Sequence, residues 1–119
     1  MPMATTLRVC IDPDRVMTIT FDLPDRLVNT LSSLLLRELD ETIQAAEKTA
    51  PRGIIFASAK NRSFVVGADL VELRQFTRHQ LDDFLAMGQE LFTRIAKLKL
   101  PTVAAIDGDV LGGGLELAL

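Results

Sequence analysis

From Pro101 to Leu119 the sequence reads PTVAAIDGDVLGGGLELAL: an apolar run, a turn crowded with glycine, and the opening of a helix that carries one carboxylate, Glu116. An apolar run that passes through glycine into a helix is the signature of a strand-to-helix corner in an α/β chain. A weaker echo lies upstream, where GIIFASA leads to VVGAD, again an apolar run, a glycine turn and an acidic residue. Two such corners in one short chain predict an α/β fold with successive βα units.

The remaining segments fit that expectation. Leu7, Val9 and Ile11 alternate with Arg8 and Cys10, Asp12-Pro13-Asp14 is a turn signal, and Val16 to Phe21 reads as a second strand. Together they predict an antiparallel hairpin with one face on the core. A loop held by Pro24 precedes a helix whose N-cap is Ser32 or Thr30 and whose buried face is Leu35, Leu39, Ile43 and Ala46. Pro51 and Gly53 are expected to end it. GIIFASA has no alternation, which suits a strand covered on both faces. Asp69 falls near the start of a helical turn, where a carboxylate accepts backbone N–H bonds. Thr77 to Gln80 matches a capping box and opens a long helix with Leu81, Phe84, Leu85, Gly88, Leu91, Phe92, Ile95 and Leu98 on one broad face, stopped by Pro101. TVAAID is the next buried strand, and the order strand, helix, strand implies a right-handed crossover in one sheet. No linker or second domain interrupts the 119 residues.

Composition removes several classes of function. A net charge of -3 and the absence of Trp and Tyr argue against nucleic-acid binding, which needs a basic face and stacking platforms. The single cysteine, Cys10, excludes an internal disulfide framework and a cysteine metal cluster, and its apolar neighbours predict a buried thiol. The opening MPMATTLRVC lacks the basic start and long apolar core of a signal peptide, and no segment is long and apolar enough to span a bilayer. These features fit a cytoplasmic or organelle-matrix protein.

The chemistry centres on the glycine corners. A strand-to-helix corner leaves backbone N–H groups without intrahelical partners, and glycine lets a ligand approach them closely. The N–H groups of Ala68 and Gly113 are the candidates for a hole that holds an oxygen gaining negative charge; one such donor is worth about 3 kcal/mol in a transition state. The competing reading is a tight corner and nothing more. Neither a phosphate loop nor a dinucleotide fingerprint fits, because the Lys-Ser/Thr pair and the required glycine spacing are missing.

Glu116, three residues after Gly113, is either a capping carboxylate or a general acid/base. Its apolar neighbours Leu115, Leu117 and Ala118 predict partial burial, which disfavours the charged form, while the helix start favours it. Asp107 and Asp109 supply too few oxygens for a hard cation and read as turn residues, so no metal site is expected. His79 reads as a surface residue. Arg26, Lys60 and Arg62 sit on loops beside the expected cavity, where they meet phosphates or only solvent. Ser63 has neither a nucleophile elbow nor a histidine partner.

SFVVGADLVEL and PTVAAIDGDVLGGGLELAL resemble the two oxyanion segments of the crotonase, or enoyl-CoA hydratase/isomerase, superfamily. LVNTLS, from Leu27 to Ser32, resembles the segment before that family's first helix, in the form seen in multifunctional fatty-acid oxidation alpha subunits. The resemblance covers essentially the whole chain, with the motifs in order. It implies a crotonase-like ββα spiral, of which residues 1–119 are the N-terminal portion of a hydratase/isomerase domain. It further implies an acyl-CoA thioester as substrate, with coenzyme A part of that substrate and no separate cofactor. Ala68 and Gly113 would supply the oxyanion hole, and Glu116 the first of two glutamates, the second lying beyond Leu119. The coenzyme A moiety would run along Arg26, Leu27 and Val28 and along Phe64, Val66, Gly67, Ala68, Asp69 and Leu70, with Gly112 beside the hole. A homotrimer or dimer of trimers is the implied assembly. The implied activity is enoyl-CoA hydration; Δ3-Δ2-enoyl-CoA isomerisation, other acyl-CoA chemistry of the family, and an inactive scaffold formed by the N-terminal portion alone are the alternatives.

Overall fold

A computed structural model describes residues 6–119. The opening residues 1–5, part of the segment read for a signal peptide, lie outside the described residues. The elements run β1 (Leu7–Ile11), β2 (Val16–Phe21), α1 (Ser33–Thr49), β3 (Gly53–Ser58), α2 (Leu70–Gln75), α3 (Arg78–Ala96), β4 (Thr102–Ala104) and α4 (Gly113–Ala118). The four strands form one mixed sheet in the order β1-β2-β3-β4. β1 pairs antiparallel with β2, while β2–β3 and β3–β4 are parallel. No helix among the described residues is long and apolar enough to cross a membrane.

Alternation in β2 puts Met17, Ile19 and Phe21 on the core face, and register places them beside Ile54 and Phe56 of β3. Phe21 stacks on Phe56 with ring centroids 6.2 Å apart and meets Phe64 edge-on at 5.9 Å. α1 lays Leu35, Leu36, Leu39, Ile43 and Ala46 on this layer. Its N-cap is Ser32, whose hydroxyl accepts from Leu35 N–H at 3.1 Å, a cap worth about 1 kcal/mol. The capping box of α3 is formed as expected by Thr77 and Gln80. α3 is tied to α1 by Arg94, which bonds Asp40 and, at 3.0 Å, Glu47. The hydrogen bond to Glu47, with further support from Asp40, holds the Arg94 guanidinium above its ordinary pKa.

α1 ends at Thr49, just before Pro51 as expected: its C-cap Ala50 adopts a left-handed conformation (φ 48°) and bonds its N–H to Ala46 O. Several other expectations need correction. α3, in contrast, ends at Ala96, before Pro101 is reached. Only one face of β3 is buried, and β4, read as a buried strand, is exposed, with Val103 at 57%. The reason is position: β4 is the sheet's edge, and among the described residues its only strand neighbour is β3. The opposite edge behaves alike. Beyond Leu7, β1 is exposed, so Val9, Ile11 and the Cys10 thiol face solvent. Leu85 of α3 is exposed as well.

Candidate active site

The two glycine corners are neighbours in space. The extended segment from Ser63 to Asp69 runs between residues 29–31 and 109–111, bridged in parallel to both. On one side Val66 N–H donates to Asn29 O (3.0 Å), Leu31 N–H to Gly67 O (2.7 Å) and Asp69 N–H to Leu31 O (3.3 Å). On the other, Asp109 N–H donates to Arg62 O (3.0 Å), Phe64 N–H to Asp109 O (2.8 Å) and Leu111 N–H to Val65 O (3.1 Å). The weak internal echo in the sequence thus corresponds to two segments lying side by side.

This pairing determines what the amides can do. In a parallel bridge, the residues flanking the bridged one bond the partner strand, and the bridged residue's own N–H turns the other way. Leu31 is served by Gly67 and Asp69, so the N–H of Ala68 points away from it. At the second corner Gly114 N–H donates to Leu111 O and Glu116 N–H to Gly112 O, leaving the N–H of Gly113 as an orphan of the first helical turn. Among the described residues, neither the Ala68 nor the Gly113 N–H donates a hydrogen bond.

Close approach explains the glycine run. A Cβ on Gly114 would lie 2.1 Å from Val65 O, and one on Gly113 would lie 2.4 Å from Leu31 Cδ1. Gly112, at φ 53°, puts its Cβ position 3.5 Å from the Gly67 Cα, so the corners touch backbone to backbone.

A cavity of about 190 Å³ opens where they meet, and Ala68, Gly113 and Glu116 all line it. The other walls are apolar side chains of Leu31, Leu36, Phe84, Leu85 and Phe92, together with Gly88 and Gln89 of α3. Glu116 is exposed, which corrects the expected partial burial. Six-residue α4 buries Gly114 and Leu117 and turns Leu115 and Glu116 outward. Among the described residues Glu116 is the only carboxylate on this cavity.

The first corner is braced by side chains. Asp69 is buried, and its Oδ1 accepts from Val71 N–H (3.1 Å) and Glu72 N–H (3.2 Å) as the N-cap of α2. Its Oδ2 lies 3.3 Å from Arg26. Glu72 in turn accepts from the N–H and hydroxyl of Ser33, at 2.8 and 2.9 Å, which fastens α2 to the start of α1.

Asn29 was not singled out from the sequence, yet it is fully buried and central. Its Oδ1 accepts from Leu23 N–H (3.0 Å), and its Nδ2 lies within bonding distance of Phe21 O (3.2 Å), Ser58 Oγ (2.8 Å) and Phe64 O (3.0 Å). Only its place in LVNTLS, just before a helix cap, hinted at such a role. Gly88 carried a clearer signal, a glycine inside an otherwise regular amphipathic helix.

The remaining candidates scatter. Phe64 has its ring in the core, whereas Leu27 (91% exposed), Val28 and Leu70 present apolar side chains to solvent. Val66 is half-buried and Gly67 buried. Lys60 does not line the cavity and is not a solvated loop cation. Its side chain is largely buried, bonding Asp22 at 2.9 Å and Leu23 O at 2.5 Å. That bond holds the Asp22 carboxyl below its ordinary pKa. Arg62 is exposed. His79 lies on the solvated side of α3, 3.4 Å from Asp83. Asp109 meets Ser63 through its backbone, and among the described residues no group of three or more His, Cys, Asp or Glu is arranged to hold a metal ion.

A mixed sheet flanked by helices, with two strand–glycine–helix corners laid side by side, is the ββα arrangement of the crotonase-like fold. The family model for enoyl-CoA hydratase/isomerase matches residues 12–119. The chain belongs to the enoyl-CoA hydratase/isomerase family. Among solved structures it is similar to an enoyl-CoA hydratase from Bacillus anthracis, at 32% identity and a TM-score of 0.85, over 95% of this chain and 44% of that one. It is also similar to an enoyl-CoA hydratase from Thermoplasma volcanium GSS1 (28% identity, TM-score 0.85, 96% of this chain and 45% of that one). A putative enoyl-CoA hydratase from Streptomyces coelicolor A3(2) matches with 28% identity and a TM-score of 0.85, over 98% of this chain and 43% of that one. The chain therefore spans less than half the length of these relatives.

Proposed function

We propose that this chain carries the oxyanion hole and the first acid/base group of an enoyl-CoA hydratase, as the N-terminal portion of that enzyme's domain. The observation that carries the reading is the shared cavity: among the described residues, two backbone N–H groups without partners and one carboxylate line the same apolar space. The oxygen of a 2-enoyl-CoA thioester accepts from the N–H groups of Ala68 and Gly113. Polarised in this way, the conjugated system is electrophilic at C3. Glu116 orients a water and accepts one of its protons as the water oxygen bonds to C3, and the electron pair moves onto the thioester oxygen as an enolate. The proton held by Glu116 then passes to C2 of the enolate, which restores the carboxylate and completes addition of the elements of water across the 2,3 double bond. Amides already aimed at the oxygen cost no reorganisation when its charge develops, which is why such a hole accelerates the step.

Coenzyme A would lie along Arg26, Leu27 and Val28 and the Phe64 to Leu70 segment. The exposed Leu27 and the Arg26–Asp69 pair beside Ala68 support that path. The 3-hydroxyacyl product needs no further cofactor. A homotrimer or dimer of trimers, in the cytoplasm or an organelle matrix, completes the reading and rests on the resemblance. That Glu116 is the one carboxylate on the cavity among the described residues also favours a second reading, Δ3-Δ2-enoyl-CoA isomerisation, which moves one proton and needs no water.

The test is hydration of crotonyl-CoA by the full chain, followed by loss of the conjugated thioester's absorbance. Glu116→Gln is expected to lower the rate by roughly a hundred- to ten-thousandfold. A rate unchanged by that substitution removes Glu116 from the chemistry. Turnover of a 3-enoyl-CoA without hydration selects the isomerase.

A further inference from the structure

Gly88 sits well inside α3 and faces the cavity that Ala68, Gly113 and Glu116 share. Glycine in a helix interior is less favourable than alanine, so its presence calls for a cause. Neither strain nor crowding supplies one. Its φ is not in the positive range, and a Cβ there would meet only Leu36 Cδ1, at 3.6 Å, an ordinary contact. Among the described residues, no other atom beyond its own helix comes within 4 Å of that position. This contrasts with Gly113 and Gly114, where a side chain would collide with protein. What a side chain at residue 88 would occupy is cavity.

The surroundings suit an acyl group. Leu36, Phe84, Leu85 and Phe92 give the space around Gly88 an apolar lining. An apolar cavity of about 150 Å³ holds a benzene-sized molecule, so the roughly 190 Å³ here accommodates a short run of methylenes.

We propose that Gly88 is a specificity-determining residue: its bare backbone is the stretch of wall along which the acyl chain of the thioester extends, and a side chain there shortens the acyl group that fits. The inference rests on the functional reading above and adds where the acyl chain goes.

The experiment uses the full chain with Gly88→Ala and Gly88→Leu. Binding of butanoyl-CoA and decanoyl-CoA is measured by calorimetry, turnover of the four- and ten-carbon 2-enoyl-CoA thioesters is followed, and thermal unfolding is recorded. Each methylene excluded from an apolar site costs about fourfold in affinity, so Gly88→Leu is expected to lower the ten-carbon to four-carbon ratio tenfold or more, in affinity and in kcat/KM. Gly88→Ala is expected to lower it by a few-fold without lowering the melting temperature. An unchanged ratio in the leucine variant, or a loss shared equally by both chain lengths, overturns the proposal. So does a lower melting temperature for the alanine variant, which would make Gly88 a packing residue. If the unsubstituted chain binds the thioesters but hydrates none, the hydratase reading alone falls and the affinity ratio still decides the role of Gly88. If it binds neither thioester, both fall.

Discussion

The two glycine corners do the same geometric job and are held by different means. The Gly67 corner is braced by side chains: Asn29 reaches four partners behind it, Asp69 caps α2 in front of it, and Glu72 ties α2 to α1. The corner at Gly112 to Gly114 has no side-chain cap, opens a helix of six residues and follows an exposed edge strand. It is placed by steric fit, with Gly114 seated on Val65 O and Gly112 against Gly67. One corner is a frame, and the other is fitted onto it. An amide can therefore be aimed either by a polar network or by the absence of side chains, and the two solutions fail differently when altered.

The largest effect is expected from Asn29→Ala. Removing a fully buried amide leaves Leu23 N–H and Phe64 O short of partners, while Phe21 O keeps Ala59 N–H, and stability should fall by about 3–4 kcal/mol, read from urea unfolding. Gly114→Ala comes next. The added methyl meets a backbone carbonyl and must push the corners apart, at a cost of about 2–3 kcal/mol. If Gly114→Ala proves costlier than Asn29→Ala, the division into frame and fitted piece is wrong.

The smallest effect sharpens the frame itself. Lys60 N–H donates to Ser58 Oγ, the hydroxyl that also serves Asn29, and its ammonium bonds Asp22. The folded-state pKa of Asp22 is depressed, so its contribution is present above its unfolded value of about 3.9 and is lost as pH falls through the folded value. Asp22 is more than a third exposed, so the effect is under about 1 kcal/mol. Lys60→Met should flatten the acid end of the stability–pH curve by that amount; an unchanged slope below about pH 4 would show that the pair is idle.

Local signals told most of what the sequence revealed. The Ser32 and Asp69 caps, the Thr77–Gln80 box and the β1–β2 hairpin are written in adjacent residues and are all formed. The errors concern what packs across from an element. Apolar runs predict a buried β4, a buried Cys10 and a half-buried Glu116, but burial depends on which element covers a strand or helix, and periodicity does not carry that information. Asn29 was illegible for a related reason: its partners are 6 to 35 residues away, and nothing beside it marks it as buried. The corners themselves were legible as glycine motifs, while the cavity between them depends on where α3 comes to rest.

The central claim is that the N–H groups of Ala68 and Gly113 hold one thioester oxygen. Difference infrared spectroscopy of a 2-enoyl-CoA bound to the full chain, with 13C at C1 to mark the band, tests it most directly. The account predicts a carbonyl stretch shifted clearly to lower frequency than in water, because two amides in an apolar cavity polarise the bond more strongly than solvent does. A bound thioester whose stretch stays at its aqueous position, or moves up, would contradict it.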